Sequence, residues 1–372
     1  MTRELVMTAR HIRKLDFTLI SVTIAIICYG VAAIYSAKKG GDTGTEYAVR
    51  QIIWAVVGFI LMIAVSTVDH HSYARFSKHI YFGNMLLLLA IQIIGHSAKG
   101  AQRWIGFGPV RVQPSEFAKL AIILILAVYL ATREKEINEP GTLLRSFLHA
   151  APVFLLVFIQ PDLGTTLVLT VIWFGMNFIA GARIRHLAAF AVAGIVLFTI
   201  AWHGGILKPY QKARLAAFVN PRADPLGSGY HIIQSRIAIG SGQLTGKGYM
   251  RGTQNQLRFI PEQHTDFIFT VVGEELGFVG TASLLVLYSI LVSRALMLLF
   301  AAEDSLGRFI SGGIACLLMF QITVNIGMTM GVLPVTGIPL PLFSYGGSSL
   351  LTTLTAIGIL QSVYVRRHRI DF

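Results

Sequence analysis

The sequence predicts an all-α membrane protein, a polytopic bundle of ten transmembrane helices with a large structured loop between the seventh and eighth. Three observations predict it. Of the 372 residues, 54% are hydrophobic and only 13% charged, where an average soluble domain carries roughly 25% charged residues. Apolar runs long enough to cross a bilayer recur near 17–37, 51–68, 80–95, 116–131, 187–203, 276–300, 308–333 and 347–365. A further apolar stretch, 147–181, is too long for one helix and is interrupted by Gln160-Pro161-Asp162.

The elements follow in order. Arg3, Arg10, Arg13 and Lys14 precede the first run, which is too long for a signal-peptide core. Tyr35-Ser36-Ala37-Lys38-Lys39 is a poor cleavage site, so this run is read as a retained first span. In the 147–181 stretch, Pro161 removes a backbone donor and pushes Gln160 out of the helical region. Asp162 can then cap a second helix, which brings the spans to ten and both termini to one side. That side also carries Arg75, Lys78, Arg133, Lys135, Arg145, Arg183, Arg185, Arg308, Arg366, Arg367 and Arg369. Lys38, Lys39, Arg50, Lys99, Arg103 and Arg111 fall opposite. The positive-inside rule makes both termini cytoplasmic and puts the loop, about 204–266, outside. One integral-membrane domain fills residues 1–372.

Within the loop, Tyr230 to Ile239 is amphipathic at helical spacing and predicts a helix on the outer membrane surface. Gly240, Gly242, Gly246 and Gly248 predict tight turns after it. Cys28 and Cys316 lie in apolar runs and read as small buried hydrophobes. The net charge of +13 points to anionic membrane lipids or a phosphorylated lipid. Its spread over many loops excludes a nucleic-acid partner.

The chemistry concentrates where polar groups meet apolar helices. His264-Thr265-Asp266 ends a polar segment and runs straight into a hydrophobic helix. Asp266 fits a general base facing the external water, and it also fits an N-cap shared with Thr265. Glu116 and Lys119 are three apart and share a helix face. They fit a polar cavity with Lys119 on a phosphate, or a local arrangement with Ser115 as cap and Lys119 snorkelling. Asp162 fits the same cavity or a cap alone. The ten-span topology gathers Asp162, Glu116 and Asp266 near the external face. Three such carboxylates predict a hydrated cleft or a shared divalent cation, Mg or Mn. Arg103, Lys212 and Arg214 fit an anionic headgroup, and Arg103 beside Trp104 also fits an interfacial anchor. Glu274 and Glu275 lie within two or three turns of Asp266. The run Pro334 to Ser349 is stiffened by prolines and offers Ser344 and Ser348 to a cavity wall.

On these residues alone, a lipid flippase or a non-catalytic scaffold fits as well as an enzyme. Placement favours the enzyme, because the charged groups gather at one face and a transporter needs a midplane site.

The motifs KGAQRW, QPSEFAKLA, QPDLGTT, GTQNQLRFIPEQHTDFIF with GEELG, and GIPLPLFSYGGSS resemble the SEDS family of bacterial cell-wall polymerases along nearly the whole chain. Gly252-Thr253-Gln254 and Phe259-Ile260-Pro261-Glu262 resemble its elongation members more than its division members. The resemblance implies ten membrane helices in the bacterial cytoplasmic (inner) membrane and an extracytoplasmic active site. It implies a peptidoglycan glycosyltransferase acting on lipid II and the nascent glycan strand, with Asp266 as the essential carboxylate. Glu116, Lys119 and Asp162 would line the same cavity. The implied partners are a class B penicillin-binding protein (a PBP2-like transpeptidase) and the rod-shape elongation complex.

Overall fold

Asp16 starts the bundle. Its carboxylate accepts from the Leu19 amide at 3.2 Å and caps α1 (Phe17–Ala37), and its other oxygen pairs with Arg294 at 2.6 Å. The structure is a computed structural model that describes residues 14–367 apart from 40, 95, 99, 100, 108, 109, 206, 226, 228 and 258. The topology assignments resting on Arg3, Arg10, Arg13, Lys99 and Arg369 lie outside the described residues.

After α1 come α2 (Gly41–Thr67) and α3 (His70–Ile94). Three short strands follow, β1 (His96–Ala98), β2 (Ala101–Phe107) and β3 (Val110–Val112), paired antiparallel in the order β1-β2-β3. Next are α4 (Pro114–Thr132), α5 (Pro140–Ile159), α6 (Leu163–Ile179) and α7 (Ile184–His203). The long loop carries α8 (Pro209–Val219), α9 (Tyr230–Ser241) and the single turn α10 (Thr253–Gln256). The chain closes with α11 (Ile268–Ala301), α12 (Ser305–Thr329) and α13 (Gly347–Val365).

This is a multi-pass helical membrane protein. Eight helices are long and apolar enough to cross a bilayer. The 25-residue α3 and the shorter apolar α6 stand at the other two predicted positions. α4, α12 and α13 are buried at the centre, while α7 lies at the rim with only Leu187 buried. α2 and α13 pack closely because small residues let their backbones approach. A Cβ on Gly358 would come within 2.7 Å of the Met62 carbonyl.

The split of 147–181 holds, with α5 ending at Ile159 and Asp162 capping α6 through the Thr165 amide at 3.2 Å. A three-stranded sheet at 96–112 adds to the helical bundle, and Arg103-Trp104-Ile105 belongs to β2. Three expectations need correction. Neither Thr265 nor Asp266 caps α11, whose N-cap is Phe267. Ser115 does not cap α4 either; Gln113 takes that place, with Pro114 at the first helical position. Cys28 is exposed on the face of α1 turned from the core, and Cys316 is half-buried with Sγ against Gly175.

The predicted loop helix forms as α9, but it docks on protein. Ile232, Ser235 and Ala238 are buried against α11 and α12, and the Arg236 guanidinium donates to the Met330 and Gly331 carbonyls at the end of α12. The glycine-rich turn after it enters a break in α11. At Gly277 the backbone turns to φ 62°, ψ −153°, and the helical ladder stops. The loop supplies the missing partners. Lys247 and Gly248 amides donate to the Glu274 and Glu275 carbonyls at 3.1 and 3.0 Å. Gln243 and Leu244 carbonyls accept from Phe278 and Val279 amides at 2.8 and 3.0 Å. Inside a bilayer each unpaired backbone group would cost several kcal/mol, so this exchange is what permits the break.

Glu274 and Glu275 fasten the same junction. Glu274 accepts from Lys247 Nζ at 2.8 Å and from the Gln254 and Asn255 amides. Glu275 accepts from Ser36 Oγ, Asn255 Nδ2 and the Met250 amide. Neither acid turns toward Asp266. A Cβ on Gly277 would meet the Gly246 amide nitrogen at 2.4 Å, in a backbone conformation L-residues rarely adopt. Gly277→Ala should therefore destabilise the protein by about 1–3 kcal/mol, the usual cost of such strain. A thermal-unfolding midpoint equal to that of the wild type would refute this reading of the break.

Candidate active site

The site is built from the ends of α4 and α6, the strand β2, α8 and the segment joining α12 to α13. Asp162 is its best-held carboxylate and is buried. Besides capping α6, it accepts from Thr165 Oγ1 at 3.0 Å and Gln113 Nε2 at 3.3 Å, and Arg103 Nη1 lies 3.7 Å from Oδ1. Arg103 is a clamp rather than a surface anchor. Its Nε donates to the Gln160 carbonyl at 3.1 Å and its Nη2 to the Pro161 carbonyl, so β2 is fastened to the break between α5 and α6. Tyr210 of α8 donates to the same Pro161 carbonyl at 3.0 Å, which draws the long loop over this point.

Glu116 and Lys119 lie in the first turns of α4. Lys119 Nζ meets Glu116 Oε2 at 2.7 Å, with the two side chains only 2% and 6% exposed. The lysine does not snorkel. Its charge is neutralised locally, so in this state it positions α4 rather than receiving a phosphate.

Asp266 stands on the other wall. Its carbonyl accepts from Asn325 Nδ2 at 3.0 Å, and the same amide donates to the Ile338 carbonyl at 2.8 Å. Asn325 thus joins the start of α11 to the 334–346 segment. A Cβ built on Gly337 would lie 3.5 Å from Asp266 Oδ2 and 3.6 Å from Arg214 Nη1. The acid and the α8 arginine therefore flank Gly337 together. One residue away, a Cβ on Gly164 would meet the Thr336 carbonyl at 2.8 Å and the Ile338 side chain at 3.1 Å. The 336–338 segment is the wall shared by the capped start of α6 and by Asp266.

The remaining candidates hold this wall. Ser344 Oγ donates to the Thr265 carbonyl at 2.6 Å and accepts from the Leu340 amide at 2.9 Å. Ser348 Oγ accepts from the Gln113 amide at 3.1 Å, tying α13 to α4. The His264 ring packs edge-on to Tyr47 with centroids 5.2 Å apart and lies 5.6 Å from the Tyr345 ring. Lys212 sits over the Trp202 ring, 5.6 Å from its centroid, away from this wall. Sequence reasoning passed over Gln113 and Asn325. Asn325 had a signal, since a buried amide within an apolar helix needs partners.

Glu116 is engaged by Lys119, and Asp162 by Arg103, Gln113 and Thr165. Among the described residues these carboxylates form no group of three close ligand atoms with Asp266.

A multi-pass helical bundle with a carboxylate and an arginine flanking one glycine, among polar helix ends, defines a class of integral-membrane proteins. The family model described as "Cell cycle protein", that of FtsW, RodA and SpoVE, matches residues 13–369, and the chain belongs to this family. It is 40% identical to the peptidoglycan glycosyltransferase MrdB of Escherichia coli K12, over 95% of this chain and 94% of that protein. Among solved structures it is similar to a chain of a peptidoglycan synthase complex that coordinates polymerization and crosslinking. There the TM-score is 0.79 at 32% identity, over 94% of this chain and 97% of that one. The rod shape determining protein RodA of Thermus thermophilus gives 0.70 at 30% identity, over 95% and 98%.

The buried pair yields a sharp expectation. Lys119→Met alone strands the Glu116 charge and should destabilise the protein by about 3–5 kcal/mol, whereas Lys119→Met with Glu116→Gln should recover most of that loss. Equal thermal stability of the single and double variants would show that the pair is not coupled.

Proposed function

We propose that this chain is a peptidoglycan glycosyltransferase that polymerises lipid II into glycan strands for cell elongation. The observation that carries the proposal is the Asp266 carboxylate. It does not cap α11, and it flanks Gly337 with Arg214 at the end of the bundle covered by the long loop. The names of the relatives support the reaction class.

The chemistry suits these groups. Lipid II presents a sugar α-linked to a diphosphate, and the product bond is β-1,4. Inversion requires one direct displacement and no enzyme nucleophile. The acceptor 4-hydroxyl attacks the anomeric carbon, Asp266 takes its proton, and the anomeric carbon–oxygen bond to the diphosphate breaks. Undecaprenyl diphosphate leaves with the electron pair, and Arg214 is the cation best placed to stabilise that charge. Arg103 and Lys119 act indirectly, through Asp162 and Glu116. A divalent cation carried in with the diphosphate would add to the charge stabilisation that Arg214 supplies.

The same reading assigns both termini to the cytoplasm and the site to the outer face of the inner membrane, following the lysine and arginine bias. It assigns a class B penicillin-binding protein and the rod-shape elongation complex as partners, in line with the synthase complex that the fold resembles.

Purified lipid II incubated with the chain and a class B penicillin-binding protein tests the proposal. Wild type should make polymer, and Asp266→Asn should lose at least ~100-fold in rate. Arg214→Ala should slow polymerisation while Lys212→Ala stays near wild type. Equal polymer from wild type and Asp266→Asn would move catalysis elsewhere and restore the scaffold reading.

A further inference from the structure

At the end of the bundle opposite Asp266, the α2–α3 turn meets the α11–α12 turn; the 34-residue α11 separates the two ends. Asp69, His70 and His71 come from the first turn and Asp304 from the second. Asp304 Oδ1 lies 3.1 Å from His70 Nε2, and its Oδ2 lies 3.1 Å from His71 Nε2. The opposite nitrogens of both rings face one oxygen. Asp69 Oδ1 is 3.4 Å from His70 Nδ1 and 3.0 Å from His71 Nδ1.

A carboxylate only accepts hydrogen bonds. With each Nε2 donating to Asp304, the neutral rings turn bare lone pairs at Nδ1 toward Asp69 Oδ1. Asp69 Oδ1 accepts from the His71 amide at 3.0 Å, and the two ring nitrogens add two further lone pairs at the same point. His70 is buried, and its Nδ1 has no hydrogen-bond partner. Arg366 pairs with the other oxygen, Oδ2, at 3.5 Å.

We propose that Asp69, His70 and His71 bind a divalent transition-metal ion of the zinc type, and that Asp304 orients both imidazoles toward it. One ligand atom from each of the three residues lies within 4.8 Å of the other two. Zinc bonds of about 2.0–2.2 Å put tetrahedral neighbours roughly 3.3 Å apart, close to the two spacings around Asp69 Oδ1. The carboxylate behind each imidazole is the arrangement that fixes the ring tautomer in metal sites. Imidazole with one carboxylate favours zinc and its first-row neighbours over magnesium or calcium. His71 is exposed and Asp69 half-buried, so an ion can enter from water past His71. A bound ion would clamp the ends of α2, α3, α11 and α12 at the face away from the catalytic wall, independently of the glycosyltransferase reading.

The test uses the full-length chain in detergent, free of affinity tag and stripped with a chelator. Titration with zinc sulfate should load one zinc per chain and raise the thermal midpoint, and cobalt chloride should give the visible absorption of a tetrahedral site. His71→Ala, at an exposed position, should keep the helical circular dichroism, weaken zinc binding at least ~10-fold and abolish the cobalt band. Asp304→Asn should weaken binding without removing it. No zinc uptake by the wild type would overturn the proposal. Uptake unchanged in His71→Ala would overturn it as well, by placing the metal elsewhere.

Discussion

The exchange of backbone hydrogen bonds at Gly277 is the constraint on which the rest of the structure depends. A membrane helix can be interrupted only if the released groups find partners. Here the turn 242–248 provides them on both sides of the break. The loop is thereby fixed to the bundle at its C-terminal half, with Glu274 and Glu275 closing the joint through Lys247, Asn255 and Ser36. Asp266 lies eleven residues before the break at Gly277, just ahead of the first segment of α11 that the joint anchors. Tyr210 and Arg103 fix the first half of the loop at the Pro161 carbonyl. A segment that the sequence marks as polar and irregular becomes a roof held at two points.

Much of this was legible in the sequence. Hydropathy located the helices, because burial in lipid demands long apolar runs whatever the tertiary contacts. Pro161 and Asp162 announced the split of α5 from α6 through local backbone chemistry. Other features depended on partners distant in the chain. Thr265 and Asp266 looked like caps because capping is a local rule, yet Ser344 and Asn325 hold this segment so that Phe267 takes the cap position. Arg103 beside Trp104 looked like an interfacial anchor, and its true partners are carbonyls 57 and 58 residues away. The glycines after α9 predicted turns, but nothing local predicted that those turns would enter another helix.

The polar groups also divide by work. Asp266 and Arg214 flank Gly337, and Glu116, Lys119, Asp162, Arg103, Ser344 and Ser348 hold one another and the backbone around them. Such braces suit the proposed base, since a displacement of about 1 Å can cost 10²-fold in rate. The residues that look most chemical in the sequence are thus mostly supports, and the amides Gln113 and Asn325 belong with them.

The Glu116–Lys119 pair has a consequence for biosynthesis. Both charges sit on one helix, three residues apart. α4 therefore enters the translocon already carrying its own counter-ion, and its partitioning into lipid does not wait for a later segment. Asp16 and Arg294 make the contrasting pair, 278 positions apart. Asp16 must stay hydrated at the membrane border until most of the chain has been made, so the assembly of α1 with α11 is a late event and that of α4 an early one.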